Sequence, residues 1–213
     1  MNIKIRIHNL IYSLTKPYKK LRNRFLAKRY PWLLPYSVWS GKLRDDYDYS
    51  YLWAEPEKGW NRVIFYPMME EIRAAAKEDG IIDRLRTADY KSKYGGLRFY
   101  IEGGNDKIHN IIHRYEMLTE NICEICGEPD VGSTSGWITP ICRKCYTKNK
   151  WHSEPYDEAI SEDRRMADWY EYIKYNEKDE KVHYKIDVRP TANKIRKKWN
   201  IKHPFRRKQY AKY

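Results

Sequence analysis

The chain has no run approaching the roughly 18 apolar residues that a membrane-spanning helix needs. Its opening stretch, MNIKIRIHNLIYSL, is broken by Lys4, Arg6 and His8. Neither a transmembrane helix nor a secretory signal is expected. Acid is missing where base is dense: residues 1 to 30 hold nine Lys or Arg, residues 188 to 213 hold ten, and neither segment contains Asp or Glu. The sequence also lacks a G-x-S-x-G elbow and a Walker motif. Gly95, Gly96, Gly103 and Gly104 have neither the spacing of a phosphate loop nor its following Lys-Ser/Thr. These gaps favour binding over catalysis, and the net charge of +13 excludes an acidic mimic of nucleic acid.

At 213 residues, with 8 Trp, 20 Tyr and 4 Phe, the chain can bury a core and fits one domain with arms. Its charge is polarised. Residues 31 to 150 are near neutral, with 17 basic and 18 acidic side chains, and residues 151 to 187 carry 6 against 11. The expected organisation is a basic N-terminal arm (1–30), an α+β body (31–122), a zinc ribbon (123–150), an acidic amphipathic segment (151–187) and a basic C-terminal arm (188–213). The fold class is therefore α+β, a small mixed domain with a four-cysteine zinc ribbon and basic arms, helical or extended.

Ile3, Ile7, Leu10 and Leu14 form one helical stripe, as a helix lying on an anionic membrane requires, yet Ile3, Ile5 and Ile7 also alternate with Lys4 and Arg6 as in a strand. Pro17 suits the first turn of a separate basic helix whose apolar side would be Leu21, Phe25 and Leu26. Clustered Lys and Arg attract phosphates through counterion release. The phosphate-contact candidates are Lys19, Lys20, Arg22, Arg24, Arg196, Lys197, Lys198, Arg206, Arg207 and Lys208, and aromatic residues interleaved with them can stack on unpaired bases.

Within the body, Trp32, Trp39, Trp53 and Trp60 are assigned to the core, in a stretch of loops and short strands from Tyr30 to Trp60. A helix from Pro67 to Gly80 follows, with Glu70 and Glu71 placed to suit its dipole. Alternation over Leu97, Phe99 and Ile101 predicts a strand. The stripe Ile108, Ile111, Ile112, Tyr115 and Leu118 predicts a second helix from Asp106 to Asn121. On that helix His109, His113 and Glu116 share a solvated face on which a second metal is a minor alternative. Residues 151 to 187 read as an amphipathic helix through Ile160, Ala167, Trp169, Tyr170 and Ile173.

Cys123 and Cys126 form one C-x2-C, Cys142 and Cys145 another, with 15 residues between the pairs. Two such turns can present four thiolates as a tetrahedron, so zinc is read ahead of two disulfides or an iron–sulfur cluster. Gly136 to Ile141 is expected to return to the metal as a strand. Four thiolates leave no coordination position for an activated water, which makes the metal a staple. The frame partly resembles that of HNH endonucleases, but no histidine lies between Cys126 and Cys142 to act as their general base.

From Tyr30 to about Lys150 the chain resembles uncharacterised zinc-ribbon proteins encoded by phages and prophages. The resemblance rests on Tyr30-Pro31-Trp32, Gly96-Leu97-Arg98-Phe99-Tyr100, Cys123-Glu124-Ile125-Cys126-Gly127 and Gly136-Trp137-Ile138-Thr139-Pro140 before Cys142 and Cys145. It implies a phage setting and a zinc-stapled body, with no activity to transfer. The leading expectation is a non-enzymatic protein of the host cytoplasm that binds nucleic acid, RNA ahead of DNA, or a nucleoprotein. The alternatives are a counter-defence inhibitor of a host nuclease or guide complex, a virion or packaging component, and, as the enzyme alternative, a nuclease.

Overall fold

A computed structural model describes residues 3–37, 39–52, 58–148, 155–157, 169–175, 178 and 180–204. In chain order the helices are α1 (Ile3–Arg29), α2 (Lys58–Trp60), α3 (Tyr66–Glu78), α4 (Asp106–Thr119), α5 (Arg143–Lys148) and α6 (Arg189–Lys202). A π-helical turn, Asn61–Phe65, joins α2 to α3. The strands are β1 (Arg86–Lys93), β2 (Gly96–Glu102), β3 (Ser133–Thr134), β4 (Tyr156–Asp157), β5 (Trp169–Tyr175) and β6 (Lys181–Asp187). They pair antiparallel as β1–β2, β3–β4 and β5–β6, giving an α+β protein with three small sheets among the described residues.

Local signals place α3 and α4. The π turn makes the chain helical from Lys58 onward, so Pro67 lies just inside α3 rather than opening the helix from a loop. At the other end, Gly80 takes φ +66°, which lets its N–H reach the Lys77 carbonyl and the Ile81 N–H reach the Ala76 carbonyl. The start of α4 is held by the Asn105 side chain, which accepts from the Ile108 N–H at 3.1 Å. Met68, Met69 and Ile72 of α3 and Ile108, Ile112, Tyr115 and Leu118 of α4 belong to one core with Leu97, Phe99 and Ile101 of β2.

β1 pairs with one side of β2, and α4 covers the other. The Phe99 N–H donates to Glu116 Oε1 at 2.7 Å, and the Leu97 N–H donates to Thr119 Oγ1 at 2.9 Å. Two helix side chains thus stand where a third strand would. Glu116 is buried, contrary to the expected solvated face, because its carboxylate is needed inside as a backbone acceptor.

The N-terminal segment is one helix that runs through Pro17, not two helices or a strand. Of its residues from 13 onward, whose burial is described, Asn23, Leu26 and Ala27 are buried, followed by Tyr30, whereas Leu14, Tyr18, Leu21 and Phe25 are exposed. Only Leu26 of the expected apolar trio therefore faces the core. Docking is polar at its edges: Asn23 Nδ2 donates to the Tyr49 carbonyl at 2.9 Å, Lys20 pairs with Asp48 at 2.6 Å, and Arg29 and Tyr30 both donate to Glu70. Glu71 instead meets Arg114 and Tyr115 of α4. The adjacent carboxylates thus tie α3 to two different helices, which explains them better than dipole electrostatics.

The hydrogen bond from Arg29, reinforced by that from Tyr30, holds the Glu70 carboxyl below its ordinary range, and Lys20 and then Ser50 do the same for Asp48. A carboxyl depressed on folding contributes stability that is complete above its unfolded pKa, about 4, and is lost as pH falls through the lower folded value. Urea midpoints are expected to fall progressively as pH drops from 5 toward 2, and less steeply in Glu70→Gln. Equal slopes in the two proteins would refute the Glu70 assignment.

Three further expectations are corrected. Within 151–187 the described elements are strands, with β5 and β6 in register from Trp169 opposite Asp187 to Tyr175 opposite Lys181, so Trp169, Tyr170 and Ile173 belong to a strand rather than an amphipathic helix; Ile160 and Ala167 lie outside the described residues. Trp39 is 98% exposed while Trp32 and Trp60 are buried; Trp53 lies outside the described residues. Among the described residues, the stretch from Tyr30 to Trp60 contains the short 3-10 turn Pro31–Leu33, a single bridge, Tyr36 to Leu43, and the helical turn α2, in place of strands. Both basic ends reach the main core, through Leu26, Ala27 and Tyr30 at one end and Val188, Ala192 and Ile195 at the other.

Candidate metal centre

The first cysteine pair sits on a knuckle that begins as α4 ends. The Gly127 N–H returns to the Cys123 carbonyl at 2.8 Å, and the Cys123 N–H donates to the Glu128 carbonyl at 2.8 Å. Gly127 adopts φ +79°, and a Cβ there would lie 2.8 Å from the Gly59 carbonyl oxygen, so both conformation and space call for glycine. The second pair brackets the start of α5, where the Tyr146 N–H donates to the Cys142 carbonyl at 2.9 Å. Two cross-links bring the pairs together: Glu124 N–H to Pro140 carbonyl, and Ile141 N–H to Gly132 carbonyl, both 3.0 Å.

The four Sγ atoms lie within 4.8 Å of one another, and Cys126 Sγ is 3.7 Å from Cys142 Sγ. Sulfurs of a tetrahedral site with metal–sulfur bonds of about 2.3 Å stand about 3.8 Å apart. No disulfide links them. Cys123 and Cys142 are buried and Cys126 is exposed. Hydrogen bonds from Cys126 and Cys142 drive the Cys123 thiol down. The same contacts with Cys123 and Cys142, joined by burial, push Cys126 up, and burial followed by the neighbouring Cys123 charge pushes Cys145 up to about 12. Thiolates crowded this closely repel one another, which is the electrostatic condition a divalent metal relieves. The donor set therefore fits a metal ion held by Cys123, Cys126, Cys142 and Cys145.

The expected strand from Gly136 to Ile141 does not form. That loop closes on Thr134, whose Oγ1 donates to the Trp137 carbonyl at 2.5 Å and accepts from the Thr139 N–H at 3.0 Å, leaving Trp137 82% exposed. Among the described residues of the lobe, pairing is limited to β3–β4 and the bridges Ser133 to Pro140 and Ile122 to Pro129. A small cluster of Val131 and Ile141 with three of the cysteines fills the interior, with Tyr146 and Tyr156 packed against it.

The lobe is joined to the main core through Trp60, assigned to the core from sequence, and through Gly59, which the sequence did not single out. Trp60 Nε1 donates to the Ile122 carbonyl at 2.8 Å, and the Gly59 N–H donates to the Glu124 carbonyl at 2.9 Å. The segment Lys58-Gly59-Trp60 carries no metal-binding signal of its own.

His109, His113 and Glu116 do not assemble a second centre. His113 Nδ1 lies 3.2 Å from Glu116 Oε2, while the other oxygen serves β2. Among the described residues the four cysteines form the one cluster of three or more ligating side chains placed to share an ion.

The basic candidates divide into three groups. Lys20 is paired with Asp48, Arg22 donates to Asn23 Oδ1 at 3.1 and 2.9 Å, and Arg196 grips Asp130 at 2.7 and 3.2 Å. Lys19 is half-buried; Arg24 is exposed, its guanidinium 5.4 Å from the Tyr49 ring centre, and Lys197 and Lys198 are exposed on α6. Arg206, Arg207 and Lys208 lie outside the described residues. Lys194 and Lys202 of α6, both exposed, extend the set beyond the sequence assignment. No helix is long and apolar enough to cross a membrane among the described residues.

No family model, curated protein or solved structure matches the chain.

Proposed function

We propose that the protein is a non-enzymatic, zinc-stapled binding protein whose basic helices hold single-stranded RNA, alone or within a nucleoprotein, mainly through its phosphates. Zinc fits the four-thiolate donor set, and such a closed set offers no position for an activated water. The phage setting implied by the resemblance belongs to the same proposal, as does the ribbon description of the lobe.

The observation that carries the reading is the solvent face of α6. Lys194, Lys197, Lys198 and Lys202 are exposed, the helix contains no acid, and none of these lysines is ion-paired among the described residues. Arg24 and Lys28 add exposed charge on α1. Arg196 belongs to the scaffold through Asp130 and is not a contact in this reading.

For a single strand, each phosphate neutralised lowers the slope of log affinity against log salt by about 0.7. Binding of a 20-nucleotide RNA is expected to weaken steeply with salt. Changing the four α6 lysines to glutamine should flatten the slope by roughly 3. Affinity that barely responds to salt, or an unchanged slope in the quadruple variant, would remove this function.

A further inference from the structure

A cavity of about 620 Å³ opens between the π-helical turn, the outer edge of the first knuckle and the last turn of α6. Its size suits a small organic ligand. Trp199 and His203, four residues apart at the end of α6, stack with ring centres 3.9 Å apart and planes 28° from parallel. The imidazole is held in place, since its Nδ1 donates to the Trp199 carbonyl at 3.1 Å. Tyr66 lines another part of the wall. Arg62, Lys198 and Lys202 also line the cavity, no carboxylate does, the exposed Cys126 of the metal centre brings a sulfur to one edge, and none of the three cations is ion-paired among the described residues. π-Helical turns recur at functional sites, and this one supplies Arg62.

We infer that this cavity binds one nucleoside monophosphate unit, with the base against the Trp199–His203 stack and the phosphate among Arg62, Lys198 and Lys202. A simple anion would satisfy the cations and leave the rings without a role. A neutral heterocycle would use the rings and leave three cations with only the Cys126 sulfur at the edge of the wall to face them. A nucleotide answers both halves of the lining. The unit can be a free nucleotide or the unpaired nucleotide of a strand; the second source rests on the RNA reading above, whereas the first does not.

The test titrates the metal-loaded full chain with adenosine and uridine 5′-monophosphates, inorganic phosphate, adenosine and a 20-nucleotide RNA, all at one ionic strength and followed by calorimetry. The nucleotides are expected to bind at least tenfold more tightly than phosphate or adenosine. Lys198→Gln with Lys202→Gln should weaken them at least tenfold. His203→Ala should weaken the nucleotides but leave phosphate binding unchanged. All three substitutions fall on exposed or half-buried positions, and unchanged melting curves would verify folding.

Nucleotide binding no tighter than phosphate binding, or insensitive to these variants, overturns the assignment. Nucleotide binding lost in the variants, with no salt-dependent RNA binding by the parent protein, supports a free-nucleotide cavity and removes the RNA reading. Salt-dependent RNA binding that is unchanged by His203→Ala and weakened by the lysine pair, with no binding of the mononucleotides, overturns the cavity assignment and leaves the RNA reading standing.

Discussion

Cys142→Ser is expected to release the bound metal from the full-length protein and to unfold residues 121–148 while the main core survives. Only Val131, Ile141 and three cysteines fill the interior of the lobe, too few side chains to hold a unit of that size by burial alone. A four-thiolate zinc site contributes on the order of 10 kcal/mol to such a fold in isolated peptides. The main core, from Trp32 and Trp60 to Ile195, has its own apolar contacts. Hydrogen exchange is the appropriate measurement: the Cys123, Gly127 and Ile141 amides should lose protection, and those of α3 and α4 should keep most of theirs. Saturating chelator should reproduce the pattern in the parent protein. Retained protection in the lobe of a metal-free protein would show that the cysteines do not staple it.

Gly59→Ala should produce the next largest effect, although Gly59 lies 64 residues before Cys123. A Cβ at Gly59 would stand 2.4 Å from the Glu124 carbonyl oxygen and 2.5 Å from that of Cys123. Both are backbone atoms of the knuckle and cannot rotate aside. Either the knuckle moves off the Lys58–Trp60 segment, breaking the Gly59 and Trp60 hydrogen bonds, or the metal geometry distorts. Overpacking of this kind costs about 1–3 kcal/mol, and the lost hydrogen bonds add about 1 kcal/mol each. Urea denaturation should register the loss together with weaker metal affinity. Gly104→Ala is the control, because a Cβ there meets only side-chain atoms at 3.3 Å or farther and should cost about 1 kcal/mol or less. Indistinguishable Gly59 and Gly104 variants would disprove the close docking of lobe and body.

Features written in local spacing are legible in the amino-acid sequence alone. The helix ending at Gly80, the stripe of α4, the alternation of β2 and the paired cysteines each depend on residues a few positions apart, where cap chemistry and periodicity act directly. What cannot be read there depends on distant partners. Tyr170 and Ile173 fit a helical stripe as well as a strand, and the decision rests on pairing with 181–187 across the hairpin. Glu116 resembles a surface acid because its function is defined by the Phe99 amide, 17 residues earlier. Arg196 is indistinguishable from its basic neighbours except through Asp130, 66 residues away, which takes it into the scaffold. The expected strand after Gly136 fails for a local reason that sequence pattern does not reveal: the Thr134 hydroxyl competes for the loop's backbone groups.

A strand whose outward amides stay vacant is an invitation to any other extended chain, and a two-stranded sheet normally has such a border on each side. In β2 the Leu97 and Phe99 donors are already consumed by Thr119 and Glu116. Intermolecular β-addition at that border would first have to peel α4 from the hairpin, so the same pair of polar side chains that seats the helix also closes the β2 side of the hairpin to self-templated fibre growth.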